Sequence, residues 1–274
     1  MWGSRDHEVL TRRPDFAHGF GDVPRHFAGG GDLIFSHLAA AFSAVFPDGE
    51  AFFVRSVRYF RDQVTDTLLA RQVTGFIGQE SMHGREHRRF NDRLGAVGYP
   101  TKRYERITHG YLAIRERVFT PRANLAATAA LEHFTATLAE LLLTSAETRE
   151  LFGHPAVRDL FVWHALEECE HKAVAFDVYR TVGGSERTRV ATMNILRFSF
   201  LIAMTAAIIL SLLGDAHTYR RGVLRRSWRR FRHSPLADKG LWAQLRDYNR
   251  PDFHPNDRDT WPLVEHWRLA LFGA

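Results

Sequence analysis

Two stretches of the chain place glutamate and histidine side chains one helical turn apart. The stretch WHALEECEHKAVAFDVY spaces His164, Glu168 and His171 four and then three residues apart. The stretch GQESMHGREHRRFN repeats the Glu-x-x-His unit with Glu80 and His83. Residues at these spacings share one face of an α-helix, where a carboxylate and an imidazole can bind the same metal ion. A single copy would also fit a solvated charged helix, but two copies on long apolar helices predict a buried metal site.

A dinuclear site in a four-helix carboxylate bundle needs one further glutamate from each of two other helices. Glu50 is the only acid between Asp48 and Asp62, and the apolar run AFFV follows it at once. Glu132 lies inside LAATAALEHFTATLAELLL, where an unpaired carboxylate would be costly to bury. We take Glu50 and Glu132 as these two ligands and as the candidate catalytic carboxylates. Glu140, nearer the end of the same helix, is the alternative to Glu132.

A third histidine would give one of the metal ions an additional nitrogen ligand. His164 lies one turn before Glu168, and its aromatic neighbours Phe161 and Trp163 indicate burial, where a neutral imidazole needs a partner. His87 stands within the charged run HGREHRRF and is the alternative to His164. The predicted metal ligands are therefore four glutamates and three histidines: Glu50, Glu80, His83, Glu132, His164, Glu168 and His171.

The composition is that of a globular protein with a sizeable core. The chain has 274 residues, of which 45% are hydrophobic and 25% are charged, and it holds a single cysteine, Cys169. One cysteine excludes an internal disulfide framework and thiolate-rich zinc or iron–sulfur sites, and it fits a cytoplasmic protein. Carboxylate and imidazole ligands without thiolate favour iron, with manganese or a mixed manganese–iron pair as alternatives. We expect two metal ions as the cofactor.

The 3.6-residue hydrophobic period places these residues on helices. It predicts no convincing strand and a series of helices near residues 33–46, 48–62, 65–96, 102–119, 122–144, 156–181, 186–213 and 238–247, with a last one ending near 272. Asp48 is the predicted N-cap of the second helix. The fold class is therefore all-α, a four-helix bundle with a dinuclear metal site and additional helices. We divide the chain into an irregular lead-in (1–32), a metal-binding helical domain (33–214) and a basic C-terminal extension (215–274) that packs on the bundle.

The sequence also resembles a known family. The segments that carry the resemblance are, in chain order, FPDGEAFFVRSVR, FIGQESMHGREHRRFN, ALEHFTATLAELLL, WHALEECEHKAVAFDVY and DYNRPDFHP. They are similar to the bacterial family called predicted metal-dependent hydrolases, which is grouped with the ferritin-like superfamily, over about residues 30–260. The resemblance implies a ferritin-like bundle and a metal-dependent hydrolytic activity. The unit formed by His164, Glu168 and His171 is also similar to that of the di-iron p-aminobenzoate N-oxygenases, in which the additional histidine binds iron.

Two reactions fit such a site. In the first hypothesis, two Fe(II) ions activate O2 for the oxidation of an apolar or membrane-derived substrate, with an electron donor that the sequence does not identify. In the second, the metal ions lower the pKa of a bridging water and polarise a carbonyl or phosphoryl oxygen, while a glutamate moves protons. A non-catalytic alternative, metal storage or a structural metal pair, would need fewer ligands than the seven predicted.

A long apolar stretch stands beside a strongly basic one. FSFLIAMTAAIILSLL holds sixteen residues without a charge, and residues 217–233, where the excess of positive charge concentrates, hold seven arginines and no acid. This pattern is typical of an interfacial anchor on anionic lipid, and a fully buried bundle helix is the alternative. We therefore expect a cytoplasmic protein, with the inner face of the membrane as a candidate partner through residues 198–233. No nucleic-acid-reading module is recognisable, so nucleic acid is not an expected partner, and a homodimer is an open alternative.

Overall fold

The computed structural model describes residues 7–273 and shows an all-α protein, as the sequence predicts. Within that range the chain forms no β-strand. The helices are α1 (Leu33–Arg58), α2 (Thr67–Ala96), α3 (Thr101–Val118), α4 (Pro121–Thr144), α5 (Ala146–Leu151), α6 (Pro155–His171), α7 (Val174–Thr181), α8 (Glu186–Leu213), α9 (Val223–Arg232), α10 (Lys239–Asp247) and α11 (Trp261–Phe272). Most predicted boundaries agree with these to within two residues. The predicted end at residue 62 lies four residues beyond Arg58, the last residue of α1, and two further predicted boundaries are wrong.

The first wrong boundary lies at Pro47. The sequence predicts two helices that meet there, with Asp48 as the N-cap of the second, but α1 runs unbroken through Pro47. Proline has no N–H, so it leaves the carbonyl of Ser43 without its usual helical partner. The side chain of Asn91 in α2 supplies one, because its Nδ2 donates to the Ser43 carbonyl at 3.0 Å. A contact from another helix therefore supports the continuous helix, and Asp48 is an interior residue of α1.

The second wrong boundary follows His171. The predicted single helix over 156–181 is two helices, α6 and α7, which a turn at Lys172 separates. No proline or glycine marks this turn in the sequence. Lys172 is buried, and its ammonium donates to the backbone carbonyl of Arg258 at 2.7 Å, in the loop before α11. The predicted helix end at residue 181 is confirmed, since α7 ends at Thr181. Gly183, two residues later, has a φ of +72°, which glycine adopts without strain.

Four helices, α1, α2, α4 and α6, enclose the middle of the bundle. α1 packs along α2 and α4 packs along α6, while contacts between α1 and α4 and between α2 and α6 close the arrangement. Their apolar side chains form two clusters, one that includes Phe52 and Phe76 and another that includes Phe90 and Leu160. On α2, Phe76 precedes the Glu-x-x-His unit and Phe90 follows it. A polar layer therefore lies between two apolar ones.

The lead-in packs along α2 through two glycines. Val9 lies against Gly75 and Thr11 lies against Gly78. A Cβ atom on Gly75 would stand 2.0 Å from the carbonyl oxygen of Val9, and one on Gly78 would stand 1.9 Å from the hydroxyl of Thr11. Any side chain at either position would push the lead-in away, so glycine is required for this close approach.

α8 lies on the outside of the bundle, against α1 and α4. Among the described residues it is the helix that is long and apolar enough to cross a membrane, judged by length and composition alone, with a mean hydropathy of 2.2 over its most apolar 18 residues. Core helices of many proteins pass the same criterion, but they are mostly buried. Only 17% of this window of α8 is buried, so the predicted alternative of a fully buried bundle helix is wrong.

Candidate metal centre

All seven side chains that the sequence predicts as metal ligands lie together in the polar layer of the bundle. The helices contribute them in chain order, Glu50 from α1, Glu80 and His83 from α2, Glu132 from α4, and His164, Glu168 and His171 from α6. Each is buried, with at most 4% of its surface exposed. The four central helices therefore bring the whole predicted set to one place, which we call the centre.

Glu168 lies in the middle of the centre. Its Oε1 atom is 3.0 Å from Nε2 of His164 and 3.7 Å from both Nδ1 of His83 and Nε2 of His171. A single carboxylate oxygen is thus approached by three imidazole rings. A carboxylate in this position is suited to bridge two metal ions, because each of its oxygens offers more than one lone pair.

Three of the remaining side chains form the first ligand group, which consists of Glu50, His83 and His164. One ligand atom from each lies within 4.8 Å of the other two. Glu50 Oε1 is 3.5 Å from His164 Nε2, and the rings of His83 and His164 stack with their centroids 4.0 Å apart. The group therefore combines one carboxylate from α1 with imidazoles from α2 and α6.

The second ligand group consists of Glu80, Glu132 and His171, again with one ligand atom from each within 4.8 Å of the others. His171 Nε2 lies 3.0 Å from Glu80 Oε1 and 3.3 Å from Glu132 Oε2. Glu80 also comes within 4.8 Å of His83 and Glu168, so the two ligand groups are contiguous. The centre therefore has two places where a cation can meet oxygen and nitrogen ligands.

Nine buried polar atoms of the centre have no hydrogen-bond partner among the described residues. They are both carboxylate oxygens of three glutamates, one oxygen of the fourth, and one nitrogen from each of two histidines, namely Glu50, Glu80, Glu132, Glu168, His83 and His171. Between residues 7 and 273, no lysine or arginine lies within 4.0 Å of these carboxylates. Buried polar groups without partners are costly and rare. Metal cations would supply the missing partners, so the residues present fit a metal site.

The electrostatics of the centre favour cations. Burial, together with the neighbouring carboxylates, raises the pKa of Glu50 and of Glu80 well above the ordinary value. Burial also raises the pKa of Glu132 to about 7. Burial alone would lower the pKa of His171, but the nearby carboxylates of Glu132, Glu168 and Glu80 raise it well above the ordinary value. These shifts describe negative charges that repel one another, and positive ions bound among them would neutralise that repulsion.

Hydrogen bonds behind the imidazole rings select which nitrogen faces the centre. His83 Nε2 lies 3.0 Å from a carboxylate oxygen of Glu167, so it donates there and presents the lone pair of Nδ1. His171 Nδ1 is 2.7 Å from the amide oxygen of Gln79. The amide nitrogen of Gln79 donates to the carbonyl of Leu10 at 3.0 Å, so its oxygen is the acceptor and His171 presents the lone pair of Nε2.

A chain of side chains orients His164. Asn91 Nδ2 donates to the Ser43 carbonyl and to Glu105, so the Asn91 oxygen accepts the hydroxyl hydrogen of Ser43 at 2.7 Å. Ser43 Oγ therefore accepts from Nδ1 of His87 at 2.9 Å, and Nε2 of His87 accepts from Nδ1 of His164 at 2.8 Å. In this tautomer His164 presents the lone pair of Nε2 to the centre, where Glu168 Oε1 lies 3.0 Å away and a cation could bind both atoms.

The same contacts bear on the two alternatives that the sequence leaves open. Both ring nitrogens of His87 are engaged, one by His164 and the other by Ser43, so His87 supports a ligand and does not face the carboxylates. Glu140, the alternative to Glu132, accepts from Arg258 Nε at 3.0 Å and lies outside the centre. The geometry therefore favours His164 and Glu132 over their alternatives.

Sequence reasoning missed a layer of charged side chains behind the ligands. Glu167 and Glu170 are not among the predicted ligands, and both are buried. Arg12 donates to Glu167 at 3.0 Å and to Glu170 at 2.7 and 2.9 Å, and Arg268 donates to Glu170 at 2.6 Å. Apolar residues occur on every side of α6, which is the signal that could have placed both glutamates inside. No local signal connects Arg12 or Arg268 with the centre.

A mostly apolar cavity of about 120 Å³ reaches the centre at His164 and Glu168. Its wall holds two threonines besides these ligands, and its other residues are apolar, Phe46 among them. The wall also includes Leu236, which packs in the same apolar cluster as Phe231 of α9. The cavity therefore offers space for a small apolar group beside the ligand atoms.

A family assignment agrees with this geometry. The sequence model of a family described as "Predicted metal-dependent hydrolase" matches residues 10–259, which is most of the chain. The chain belongs to this family. The resemblance to metal-dependent hydrolases seen in the sequence is thereby confirmed, and the ligand groups supply a place where the family's metal could bind. No curated protein and no solved structure matches the chain.

The donor set for that metal consists of oxygen and nitrogen atoms. The single cysteine, Cys169, follows Glu168 in α6 and is buried. Burial raises the pKa of its thiol to about 12, so it remains protonated at neutral pH and does not act as a thiolate ligand. Carboxylates and imidazoles in this proportion suit iron, manganese or zinc.

Proposed function

We propose that the chain is a dinuclear metal-dependent hydrolase whose four central helices have a ferritin-like arrangement. Each ligand group would hold one metal ion, and Glu168 would be shared between the two. The nine buried atoms without hydrogen-bond partners carry this proposal, because two cations are the simplest way to satisfy all of them. A structural metal site needs only about four ligands, whereas seven converge here.

The chemistry follows from the positions of the protein side chains. Bound metal ions would lower the pKa of a water molecule and polarise a carbonyl or phosphoryl oxygen of the substrate. Glu50 and Glu132 are the ligands from helices that contribute only one, and all their carboxylate oxygens lack partners. We assign to this pair the acceptance of a proton from the attacking water and its delivery to the leaving group. Phe46, whose ring lies 4.7 Å from that of His164, limits the access of other water.

The cavity indicates the substrate class. Its volume of about 120 Å³ and its apolar wall suit a short acyl, alkyl or aryl group. Because His164 and Glu168 are part of the wall, a bond next to that apolar group would lie at the ligand atoms. We therefore infer an ester, amide or phosphoester of a small apolar molecule as the substrate.

The first experiment loads metal-free protein with Fe(II), Mn(II) or Zn(II) in turn and counts the bound ions by elemental mass spectrometry. We expect about two ions per chain and the release of p-nitrophenolate from short-chain p-nitrophenyl esters. Glu132→Gln should lower kcat at least about a hundredfold, because it removes a proton-transfer group and a ligand. Glu140→Gln, the same change on the same helix but outside the centre, is the matched control and should keep its activity.

Two outcomes would refute the hydrolase proposal. One is an equal loss of activity in Glu140→Gln and Glu132→Gln, which would mean that the loss reflects general damage to α4. The other is a metal-loaded protein that cleaves none of a panel of apolar esters, amides and phosphoesters. Binding of a single ion would refute the dinuclear part alone.

A second pair of variants tests the substrate class. Ala139→Leu narrows the cavity and Leu142→Ala widens it, since both residues line its wall. The preferred acyl chain should become shorter in the first variant and longer in the second. We expect the ratio of kcat/KM values for acetyl and hexanoyl esters to move in opposite directions by about tenfold in each. Ratios that do not change would place the acyl group elsewhere.

O2-dependent oxidation of a similar apolar substrate is the second candidate function. The observation that favours it is the donor set next to an apolar cavity, because the set contains the two lone glutamates and two Glu-x-x-His units of di-iron carboxylate bundles. The test mixes reduced, anaerobic, iron-loaded protein with O2 in a stopped-flow spectrometer. A transient absorbance together with O2 consumption would support oxidation, which would also require an electron donor. An unchanged spectrum would reject it.

A further inference from the structure

α8 exposes a continuous apolar stripe. The side chains that form it recur at helical spacing and are each half exposed or more: Ile195, Phe198, Ile202, Ile209 and Leu213. The opposite side of the helix packs on α1 and α4. Single exposed apolar residues are normal on a protein surface, but a stripe along a 28-residue helix is a larger patch that indicates a partner.

α3 extends this apolar surface. The hydroxyl of Tyr104 in α3 donates to the carbonyl of Ala207 in α8 at 2.6 Å, so the two helices are neighbours. Further along, α3 has its own stripe of side chains that are more than half exposed, namely Ile107, Tyr111, Ile114 and Val118. These four residues are spaced four, three and four positions apart, which places them on one face. Two neighbouring helices therefore both present apolar side chains to the outside.

α9 adds a basic face. Ser227 donates to the carboxylate of Asp32 at 2.5 Å, so this side of α9 faces the bundle. By the 100° turn per residue, Arg225, Arg229 and Arg232 lie on the opposite side, and all three are exposed. The segment 217–233 around them holds seven arginines and no acid. The charge on this face is therefore not neutralised by neighbours in the chain.

The apolar and basic faces belong to one region of the surface. Ser211, near the end of α8, lies 2.6 Å from Nδ1 of His37, and Ser227 of α9 accepts from the backbone N–H of Ile34 at 2.8 Å. Both helices are thus attached to the same turn of α1. Two aromatic side chains that suit a boundary between water and lipid are exposed in this region, Tyr219 and Trp228.

We propose that this docking surface, formed by α8, α9 and the exposed face of α3, binds an anionic lipid bilayer. The apolar stripes would enter the boundary of the acyl chains while the arginines contact lipid phosphates. α8 lies on the bilayer and does not cross it, because one side of the helix is packed against α1 and α4. The proposal concerns the outer surface and does not depend on the reaction at the centre.

A second copy of the chain fits this surface less well. A two-fold dimer through α8 and α9 would place the same patch of both subunits face to face. It would therefore bring the arginines of α9 towards their equivalents, and like charges in an interface are unfavourable. A bilayer with anionic headgroups supplies the complementary charge.

The test is flotation of the full chain with vesicles of phosphatidylcholine, with and without phosphatidylglycerol. We expect the protein to float with the anionic vesicles and to remain behind with the neutral ones. The combined variant Arg225→Gln, Arg229→Gln and Arg232→Gln should lower the partition coefficient by roughly a hundredfold, because each arginine near the surface contributes about a factor of five. The matched control, Arg13→Gln, Arg71→Gln and Arg88→Gln, makes the same charge change at exposed positions of the lead-in and α2.

A further variant, Phe198→Ser with Ile202→Ser, tests the apolar part. It should reduce flotation most at high salt, where the contribution of the arginines is screened. The proposal is overturned if wild-type protein does not float with anionic vesicles, or if the control loses as much as the α9 variant. It is also overturned if light scattering shows a dimer that the Phe198 and Ile202 variant dissociates while flotation is unchanged. Near-UV circular dichroism establishes that each variant is folded.

Discussion

In the described part of the chain, histidine and acidic side chains come close enough to hold a metal ion in two regions, and the surroundings of these regions differ. One is the centre, and the other joins His26, His37 and Asp215. Asp215 Oδ2 accepts from Arg25 Nε at 3.0 Å and lies 2.8 and 3.1 Å from nitrogens of His26 and His37. The other oxygen of Asp215 accepts the backbone N–H of His217 at 2.8 Å. In this second region, which we call the Asp215 junction, neighbouring donors neutralise the charge of the carboxylate.

The centre has the opposite balance. Its four carboxylates have no arginine or lysine beside them in the described part of the chain, and seven of their eight oxygens lack a hydrogen-bond partner. Closeness of histidine and acidic side chains therefore does not by itself identify a metal site. Buried polar atoms without hydrogen-bond partners are a better criterion for a metal site, because the polar atoms of a structural network have partners within the network. The Asp215 junction ties the lead-in to α1 and to the end of α8.

The largest difference should appear in metal content. Glu168→Ala removes the carboxylate that three imidazoles face, so bound metal should fall to less than about a tenth of the wild-type amount after gel filtration. Asp215→Asn should leave metal content unchanged, although Asp215 also has two histidines beside it. Elemental mass spectrometry measures both. Loss of metal in the Asp215 variant would contradict the distinction between the two groups.

Removal of metal should next distinguish the centre from the Asp215 junction by its effect on thermal stability. A ligand present at a hundred times its Kd stabilises a protein by about 2.7 kcal/mol, so chelation should lower the Tm of the loaded protein by about 5–10 °C. Asp215→Asn protein should show the same decrease from its own starting Tm. Glu168→Ala protein should show none. Calorimetry with and without chelator provides the comparison, and a decrease in the Glu168 variant would mean that the metal binds elsewhere.

In metal-free protein, substitutions in the centre and in the Asp215 junction should change the free energy of unfolding in opposite directions. Glu132→Gln removes a buried carboxylate that has no hydrogen-bond partner among the described residues and that Glu168 repels, so it should raise the free energy of unfolding by about 2 kcal/mol. Asp215→Asn breaks a satisfied network and should lower it by about the same amount. Urea denaturation of both variants in the absence of metal measures these values. Two changes of the same sign would remove the contrast.

The smallest expected effect concerns pH at the Asp215 junction. Burial lowers the pKa of His37 to about 4, although Asp215 opposes this shift. Between pH 6.5 and about 4, this histidine is protonated in the unfolded chain, where its pKa is near 6.5, and neutral in the folded protein. The free energy of unfolding therefore falls as the pH falls through this range. From pH 6.5 to 5.5 the contribution of His37 is about 1 kcal/mol. His37→Asn should flatten the slope of unfolding free energy against pH, and an unchanged slope would contradict the assignment.

Much of the fold and of the centre was accessible from the sequence for a physical reason. Helices impose a period, and the period puts residues such as Glu168 and His171 on one face whatever lies around them. Burial of a lone carboxylate such as Glu132 is unfavourable enough to be informative by itself. These are local properties, and the structure brings the residues chosen on this basis together.

The features that could not be predicted from the sequence depend on contacts between distant segments of the chain. Pro47 predicts a helix boundary in the sequence. The helix continues because Asn91, on another helix, donates to the Ser43 carbonyl that the proline leaves without a partner. The turn at Lys172 has no proline or glycine to announce it. The preference for His164 over His87 rests on the direction of hydrogen bonds through Ser43, which no spacing rule contains.

The two arginines behind the centre have a consequence for the order of folding. Arg12 and Arg268 meet at Glu170 from positions 158 and 98 residues away along the chain. Contacts across such separations carry a large loop-closure entropy and form after local helices. We expect the four central helices to assemble first and the lead-in to dock afterwards. Metal ions would then reach the glutamates before the lead-in packs over Glu167 and Glu170, on the side of the centre that Arg12 contacts.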